Sequence, residues 1–120
     1  MNKEKVIEEK RKFIRLNTSV DVIYSILKQP EEKLTAQTKN ISAGGICIIA
    51  HEKLDIHTLL VISIYFPGEA LPIICEGRVV WTKSFQIGKE AAHYDVGVEF
   101  TKIGQEDRKK IDQYVFSYIK

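Results

Sequence analysis

Hydrophobic and polar residues alternate along most of the chain, which is the pattern of half-buried β-strands. Six such segments follow one another, separated by short polar or glycine-containing turns and with no helical pattern between them. Short turns join antiparallel strands, whereas parallel strands need long crossovers that are usually helices. The pattern therefore predicts a small antiparallel barrel or sandwich. The predicted strands cover residues 20–26, 34–41, 46–50, 59–66, 73–81 and 94–100.

The hydrophobic period changes near the C-terminus. Acidic Glu106 and Asp107 come first, at the end of a helix where its dipole favours negative charge. The chain from there predicts a helix whose apolar stripe packs on the barrel. Five apolar residues at helical spacing form this stripe: Ile111, Tyr114, Val115, Tyr118 and Ile119.

Length and composition predict one domain. The 120 residues are enough for a single core, and 44% hydrophobic with 28% charged residues is typical of a globular protein. The apolar stretches are too short to cross a membrane, and the charged first residues do not resemble a signal peptide. Cys47 and Cys75 lie in separate apolar runs, which predicts buried, reduced thiols and a cytoplasmic location.

The net charge of +2 is unevenly distributed. Residues 1–16 carry six basic and three acidic side chains, whereas residues 17–101 carry seven basic and ten acidic ones. A basic cluster of this kind is either a solvated tail or a binding segment for an anion. The cluster without an acidic member consists of Lys10, Arg11, Lys12 and Arg15.

The chain offers few candidates for catalysis. His51, His57 and His93 have no metal-like spacing to one another or to a cysteine, and no glycine-rich phosphate loop precedes a helix. Asp55 and His57 form a conceivable acid–base pair, but a polar loop between strands explains them better. We therefore predict that the protein is not an enzyme and carries no metal or cofactor.

A pair of arginines suits an anionic ligand. Arg11 and Arg15 are four residues apart, so their side chains lie on the same side of a helix or of an extended chain. A guanidinium group pairs bidentately with phosphate or with the O6/N7 edge of guanine, and it stacks on bases. The pair is therefore suited to a guanine nucleotide.

A second polar motif, Asn-Ile-Ser-Ala-Gly-Gly, occupies residues 40–45 at the end of the second strand. If Ile41 faces the core, Asn40 and Ser42 face solvent together. The two glycines permit a positive φ or a close approach of the backbone to a ligand. The same residue types also form ordinary turns for local reasons, so this motif on its own favours a turn.

Taken together, the RxxxR and [D/N]xSxxG motifs resemble the PilZ domain, the bacterial receptor module for cyclic di-GMP. Residues 77–81 and 94–100 also resemble the last strands of that family, so the resemblance extends over roughly residues 10–119. The motif residues are Arg11 and Arg15 in the first motif and Asn40, Ser42 and Gly45 in the second.

The resemblance implies a six-stranded antiparallel β-barrel with a C-terminal helix. A flexible N-terminal arm (1–16) would carry the arginines, and the barrel with its helix would cover 17–120. Arg11 and Arg15 would bind guanine edges and phosphates, Asn40 and Ser42 would hydrogen-bond a guanine, and Gly45 would keep the turn tight. Trp81 is either a wall of this site or an inward-facing barrel residue, and the inward direction is favoured. The number of bound ligands, one or two, is left open.

We therefore predict a cyclic di-GMP receptor in which the ligand orders residues 3–16, and a partner protein of the motility, pilus or exopolysaccharide machinery reads the change. One alternative is an adaptor of the same fold that binds protein and no nucleotide. Another is a small barrel that binds single-stranded nucleic acid. The net negative body, and the placement of Tyr94 and Phe100 on an apolar strand face, disfavour the latter.

Overall fold

The computed structural model describes residues 13–118. Within them, all six predicted strands are present, and the fifth extends to Phe85 rather than ending at Trp81. The predicted C-terminal helix is also present. The elements are β1 (Asp21–Ile26), β2 (Leu34–Ser42), β3 (Gly45–Ala50), β4 (Leu59–Tyr65), β5 (Ile73–Phe85), β6 (His93–Lys102) and α1 (Gln105–Ser117).

The strands form a closed barrel in the order β1-β2-β3-β6-β5-β4. Every neighbouring pair is antiparallel, and β1 closes the barrel by pairing with β4. Strict alternation fills the interior: on β4 and just after it, Leu60, Ile62, Ile64 and Phe66 are all at most 6% exposed. Burying each such side chain contributes about 1.5–3 kcal/mol to folding. The predicted mainly-β barrel with a C-terminal helix is confirmed.

Helix α1 packs on the barrel through a shorter stripe than predicted. Ile111 and Val115 are fully buried, and the ring of Tyr114 contacts that of Phe66 with centroids 4.5 Å apart. Tyr118 lies just past the end of the helix at Ser117 and is 61% exposed. The prediction that it belongs to the buried stripe is therefore wrong. Ile119 lies outside the described residues.

The segment before β1 runs along the edge of β2. The backbone N–H of Leu16 donates to the carbonyl of Ile41 at 2.8 Å, and the N–H of Ile41 donates back to Leu16 at 2.9 Å. Phe13 and Ile14 also pack against the barrel core. The boundary predicted between arm and barrel falls next to this paired residue, and residues 1–12 of the predicted arm lie outside the described part of the chain.

A β-bulge in β5 decides the direction of Trp81. Val79 pairs with Val98 and Trp81 pairs with Gly97, so Val80 is an extra residue without a partner on β6. Val79 is fully buried, whereas Trp81 is 40% exposed. The expectation that Trp81 faces the interior is wrong, because counting in steps of two treats the unpaired Val80 as an ordinary strand position.

Candidate functional site

A cleft of about 510 Å³ lies on the outer face of the barrel. Its volume falls within the roughly 300–1,000 Å³ typical of small-molecule sites. The β2–β3 turn, the outer faces of β5 and β6, the segment before β1 and the first turn of α1 all contribute to it. The polar, aromatic and glycine residues that line the cleft are Phe13, Arg15, Asn40, Ser42, Gly44, Gly45, Trp81, Gly97, Glu99 and Arg108.

The floor of the cleft is one row of residues across four neighbouring strands. Asn40 of β2 pairs with Cys47 of β3, Cys47 with Gly97 of β6, and Gly97 with Trp81 of β5. The two ends of the row are an amide and an indole, and the two middle positions are small. This order of residue sizes leaves a groove between a hydrogen-bonding wall and an aromatic wall.

Asn40 reaches this row through a second β-bulge. The register of β2 against β3 shifts between Thr38 and Asn40, so Lys39 is the extra residue. Thr38 and Ile41 are buried, and Asn40 between them is half-buried at the cleft. The predicted outward direction of Asn40 is confirmed, because Ile41 does face the core.

Ser42 lies in the cleft wall but is only 7% exposed. Its hydroxyl accepts hydrogen bonds from the backbone N–H groups of Gly44 (3.1 Å) and Gly45 (3.2 Å) and donates to the carbonyl of Gly45 (3.3 Å). Ser42 therefore lies on the cleft side with Asn40 as expected, but it is far less exposed than expected, because the turn's own amides occupy its hydroxyl. Ser42 organises the β2–β3 turn, and its predicted hydrogen bond to a ligand stays a prediction.

Gly45 is required by a close approach of two strands. Its φ is not in the left-handed region. A Cβ at this position would collide with the carbonyl oxygen of Val98 and lie 3.1 Å from Cα of Glu99. There is therefore no room for a side chain at this position between β3 and β6, and the predicted role of Gly45 in keeping the turn tight stays a prediction.

The segment before β1 brings Arg15 to the cleft and anchors it through Phe13. The ring of Phe13 covers Gly44, where a Cβ would lie 2.5 Å from the ring edge. The guanidinium carbon of Arg108 lies over the same ring, 5.2 Å from the ring centroid. Arg15 itself is exposed and lines the cleft. Arg11, the other arginine of the motif, lies outside the described residues.

The described cations at the cleft are Arg15 and Arg108, and neither forms an ion pair with another of residues 13–118. Glu99 also borders the cleft, but its carboxylate is paired with Arg78. Burial raises the pKa of the Cys47 thiol, which favours its neutral form. The cleft thus combines positive charge, an amide and an aromatic ring, a set suited to an anion with planar bases.

Sequence reasoning missed Phe13 and Arg108 and assigned the wrong side to Trp81. Phe13 lies between the two arginines of the first motif, which was an available signal for a role in placing them. Arg108 carries no comparable signal, because only the packing of α1 brings it to the cleft.

Within residues 13–118, no three His, Cys, Asp or Glu side chains form a group that could hold a metal ion. His51 and His93 do meet, with their Nδ1 atoms 3.0 Å apart, at the opposite end of the β3–β6 ladder from the cleft. Cys47 and Cys75 are buried free thiols, as predicted. No helix in this part of the chain is long and apolar enough to cross a bilayer.

The family profile of the PilZ domain matches residues 9–117. The chain belongs to the PilZ domain family. The two motifs and the closed barrel are thereby accounted for together, and the resemblance found in the sequence is confirmed. No curated protein sequence matches the chain.

Solved structures with the same fold include members of this family. The Bacillus subtilis inhibitor of motility MotI/DgrA is 26% identical with a TM-score of 0.70, over 89% of this chain and 50% of that one. The PilZ domain of Escherichia coli YcgR with c-di-GMP is 12% identical with a TM-score of 0.69, over 90% of both chains. The K. pneumonia MrkH–c-di-GMP complex is 18% identical with a TM-score of 0.70, over 91% and 52%. The chain thus spans about half the length of MotI/DgrA and MrkH.

Proposed function

We propose that this PilZ domain is a receptor for cyclic di-GMP and has no catalytic activity. The observation that carries the proposal is the convergence of Arg15, Asn40, Ser42 and Gly45 on one cleft, although more than twenty residues separate the first motif from the second. YcgR and MrkH, which share the fold, have been solved with c-di-GMP. Their low identity makes the cleft of this chain, rather than their sequences, the main support.

The residues of the cleft have complementary roles toward such a ligand. The Arg15 guanidinium, together with that of Arg11, supplies charge-assisted bonds to phosphate or to the O6/N7 edge of guanine. The Asn40 amide both donates and accepts, as the edge of guanine requires. Trp81 offers an aromatic face at the other end of the groove, where a base can stack.

We further propose that ligand binding is coupled to the N-terminal arm and is read by a partner protein. Residue 15 contributes to the cleft while residues 13–16 contact the barrel, so ligand and arm share a surface. The partner would belong to the motility, pilus or exopolysaccharide machinery, and the likeness to a protein described as an inhibitor of motility supports the first of these. An adaptor that binds protein without nucleotide is the competing function.

A fluorescence titration tests the receptor role directly, because Trp81 is the chain's only tryptophan and lines the cleft. Cyclic di-GMP is expected to change its emission saturably, whereas GTP and a short single-stranded oligonucleotide leave it unchanged. Calorimetry on the same samples gives the stoichiometry. Absence of binding to cyclic di-GMP would favour the adaptor, and binding of the oligonucleotide instead would favour the nucleic-acid barrel.

Amide hydrogen exchange tests the coupling to the arm. Within residues 3–16, all amides except that of Leu16, which already donates to Ile41, are expected to gain protection when cyclic di-GMP is added. The reason is that the ligand neutralises the basic cluster and gives the arm a surface to pack on. Strong protection that is already present in the free protein would show a preformed pocket instead. The loop around Lys53, outside the cleft, is the internal control.

A further inference from the structure

We propose that Arg108, on the first turn of α1, is an additional ligand-binding residue that contacts a phosphate of the bound nucleotide. This inference rests on the proposed receptor function. It adds a cation from the C-terminal helix to a site whose predicted residues all come from the arm and the β2–β3 turn.

Helix geometry fixes Arg108 at the cleft. Its backbone N–H donates to the carbonyl of Gly104 at 2.9 Å, which is the first hydrogen bond of α1. Three residues later, Ile111 is fully buried and anchors the same helix to the barrel. The side chain of Arg108 is half-buried and lines the cleft. Its position therefore depends on the packed core of the helix rather than on a loop.

One atom of the Arg108 guanidinium, Nε, lacks the polar partner that its burial calls for among the described residues. Its Nε atom is buried and has no hydrogen-bond partner within residues 13–118, although buried polar groups are normally paired. Carboxylates are close in sequence: Asp107 precedes it, and Asp112 lies four residues on, a favourable distance for an ion pair on a helix. Arg108 nevertheless pairs with neither. It is turned toward the cleft and over the Phe13 ring.

The contact with Phe13 is compatible with hydrogen bonds from the guanidinium to a ligand. A guanidinium stacks through its face and donates through its edge, so one group can do both at once. Arg15 borders the same cleft, and two unpaired cations that share a partly buried site repel each other. A phosphate group relieves this repulsion and supplies the acceptors that Arg108 lacks, which makes a phosphodiester the chemistry that fits.

The test compares the affinity for cyclic di-GMP of the wild type, Arg108→Gln, Arg108→Lys and Lys109→Ala. Glutamine keeps the length and helix propensity of arginine but removes the charge. Lys109 is the matched control, since its side chain is 71% exposed and it does not line the cleft. We expect a loss of about tenfold or more for Arg108→Gln, a smaller loss for Arg108→Lys, and less than twofold for Lys109→Ala. Thermal melts of each variant check that α1 stays folded.

A second pair of variants separates a phosphate contact from an indirect effect through Phe13. If Arg108 acted only by holding Phe13, then adding Arg108→Gln to Phe13→Leu would cause no further loss of affinity. A direct contact predicts a further loss of at least severalfold in the double variant, and a weaker dependence of affinity on salt. An Arg108→Gln protein within twofold of wild type, or a double variant equal to Phe13→Leu, would overturn the inference.

The same experiment distinguishes this inference from the proposed function. If the wild type does not bind cyclic di-GMP, the receptor function fails and the inference fails with it. If the wild type binds and Arg15→Ala does not, while Arg108→Gln binds normally, the receptor function stands and only the role of Arg108 is lost.

Discussion

The indole of Trp81 lies directly against the backbone of Gly97, its pairing partner on β6. A Cβ on residue 97 would occupy the position of the indole ring. Glycine at this position is therefore what allows the aromatic wall to lie close over the floor of the cleft.

Gly97→Ala is expected to displace the indole and weaken cyclic di-GMP binding severalfold, because the side chain has to move before the new methyl group fits. A shift of the tryptophan emission maximum in the free protein reports the displacement, and a titration reports the affinity. Trp81→Ala provides the control background. If Gly97 acts through Trp81, adding Gly97→Ala to Trp81→Ala causes little further loss of affinity, whereas an equal loss in both backgrounds would contradict this link.

Arg15→Ala is expected to reduce the binding free energy for cyclic di-GMP by about 2–4 kcal/mol, because charge-assisted bonds to the ligand are lost. Arg11→Ala, at the other arginine of the motif, is expected to act similarly. Thermal stability should change little for Arg15→Ala, since this side chain is exposed. Calorimetry measures the loss, with Lys53→Ala as a charge-matched control outside the cleft. Binding within about threefold of wild type, or roughly 0.7 kcal/mol, would remove the arginine concerned from the site.

Ser42→Ala is expected to lower the free energy of unfolding by about 1 kcal/mol, because the N–H groups of Gly44 and Gly45 lose their acceptor. Affinity for the ligand should fall by less than in either arginine variant, since one neutral hydrogen bond contributes about 0.5–1.5 kcal/mol. Urea denaturation measures the stability change. The exposed Ser84 on β5, changed to alanine, is the control, and equal midpoints for the two variants would contradict the role of Ser42 in the turn.

Two adjacent glycines are expected to respond differently to alanine. At Gly45 the new Cβ meets the backbone of β6, so we expect a loss of roughly 1–3 kcal/mol in the free energy of unfolding. At Gly44 it meets only the ring of Phe13, so the ring moves, stability changes less, and ligand affinity falls. Urea denaturation and ligand titration of both variants check the contrast. A larger loss of stability at Gly44 than at Gly45 would contradict the contacts described for these two positions.

Stability is expected to fall at alkaline pH partly because of Cys75. Burial raises the pKa of this thiol from about 9 to about 12, so the folded chain keeps a proton that the unfolded chain releases. Its stabilising contribution is present in full below about pH 9 and is lost as pH rises toward 12, at up to about 1.4 kcal/mol per pH unit. Urea denaturation at pH 8 and pH 10 measures the decline, which should be smaller in Cys75→Ala. An equal decline in both proteins would show that this thiol does not contribute.

Strand positions were predictable from the sequence wherever alternation is unbroken. Leu60, Ile62 and Ile64 are buried as the pattern of β4 requires, and the turn at residues 67–69 supports the end of that strand. Alternation gave the wrong direction for Trp81. Which residue is left unpaired depends on how two strands pair, and the sequence of one strand does not show this. Nothing in the residues around Val80 marks it as the one without a partner.

Much of the candidate site was predictable, but not the geometry that completes it. The described motif residues line one cleft, whereas Arg11 lies outside the described part of the chain. The residues that line the cleft are Arg15, Asn40, Ser42 and Gly45. The low exposure of Ser42 depends on hydrogen bonds that its hydroxyl accepts from amides two and three residues away, and these bonds replace bonds to water. Arg108 reaches the cleft through packing of α1 against the barrel, and this long-range contact leaves no local pattern in the sequence.

The bulges at Lys39 and Val80 set where the chain tolerates a change in length. Removing either residue would turn its bulge into regular pairing while Asn40 and Trp81 kept their outward direction, because the flanking residues already have partners. An insertion or deletion elsewhere in β2 or β5 would move every following side chain to the other face. A sequence alignment with other PilZ domains should therefore place single-residue gaps at Lys39 or Val80. The positions of Asn40 and Trp81, the two walls of the cleft, then stay aligned with the equivalent positions of the other sequences.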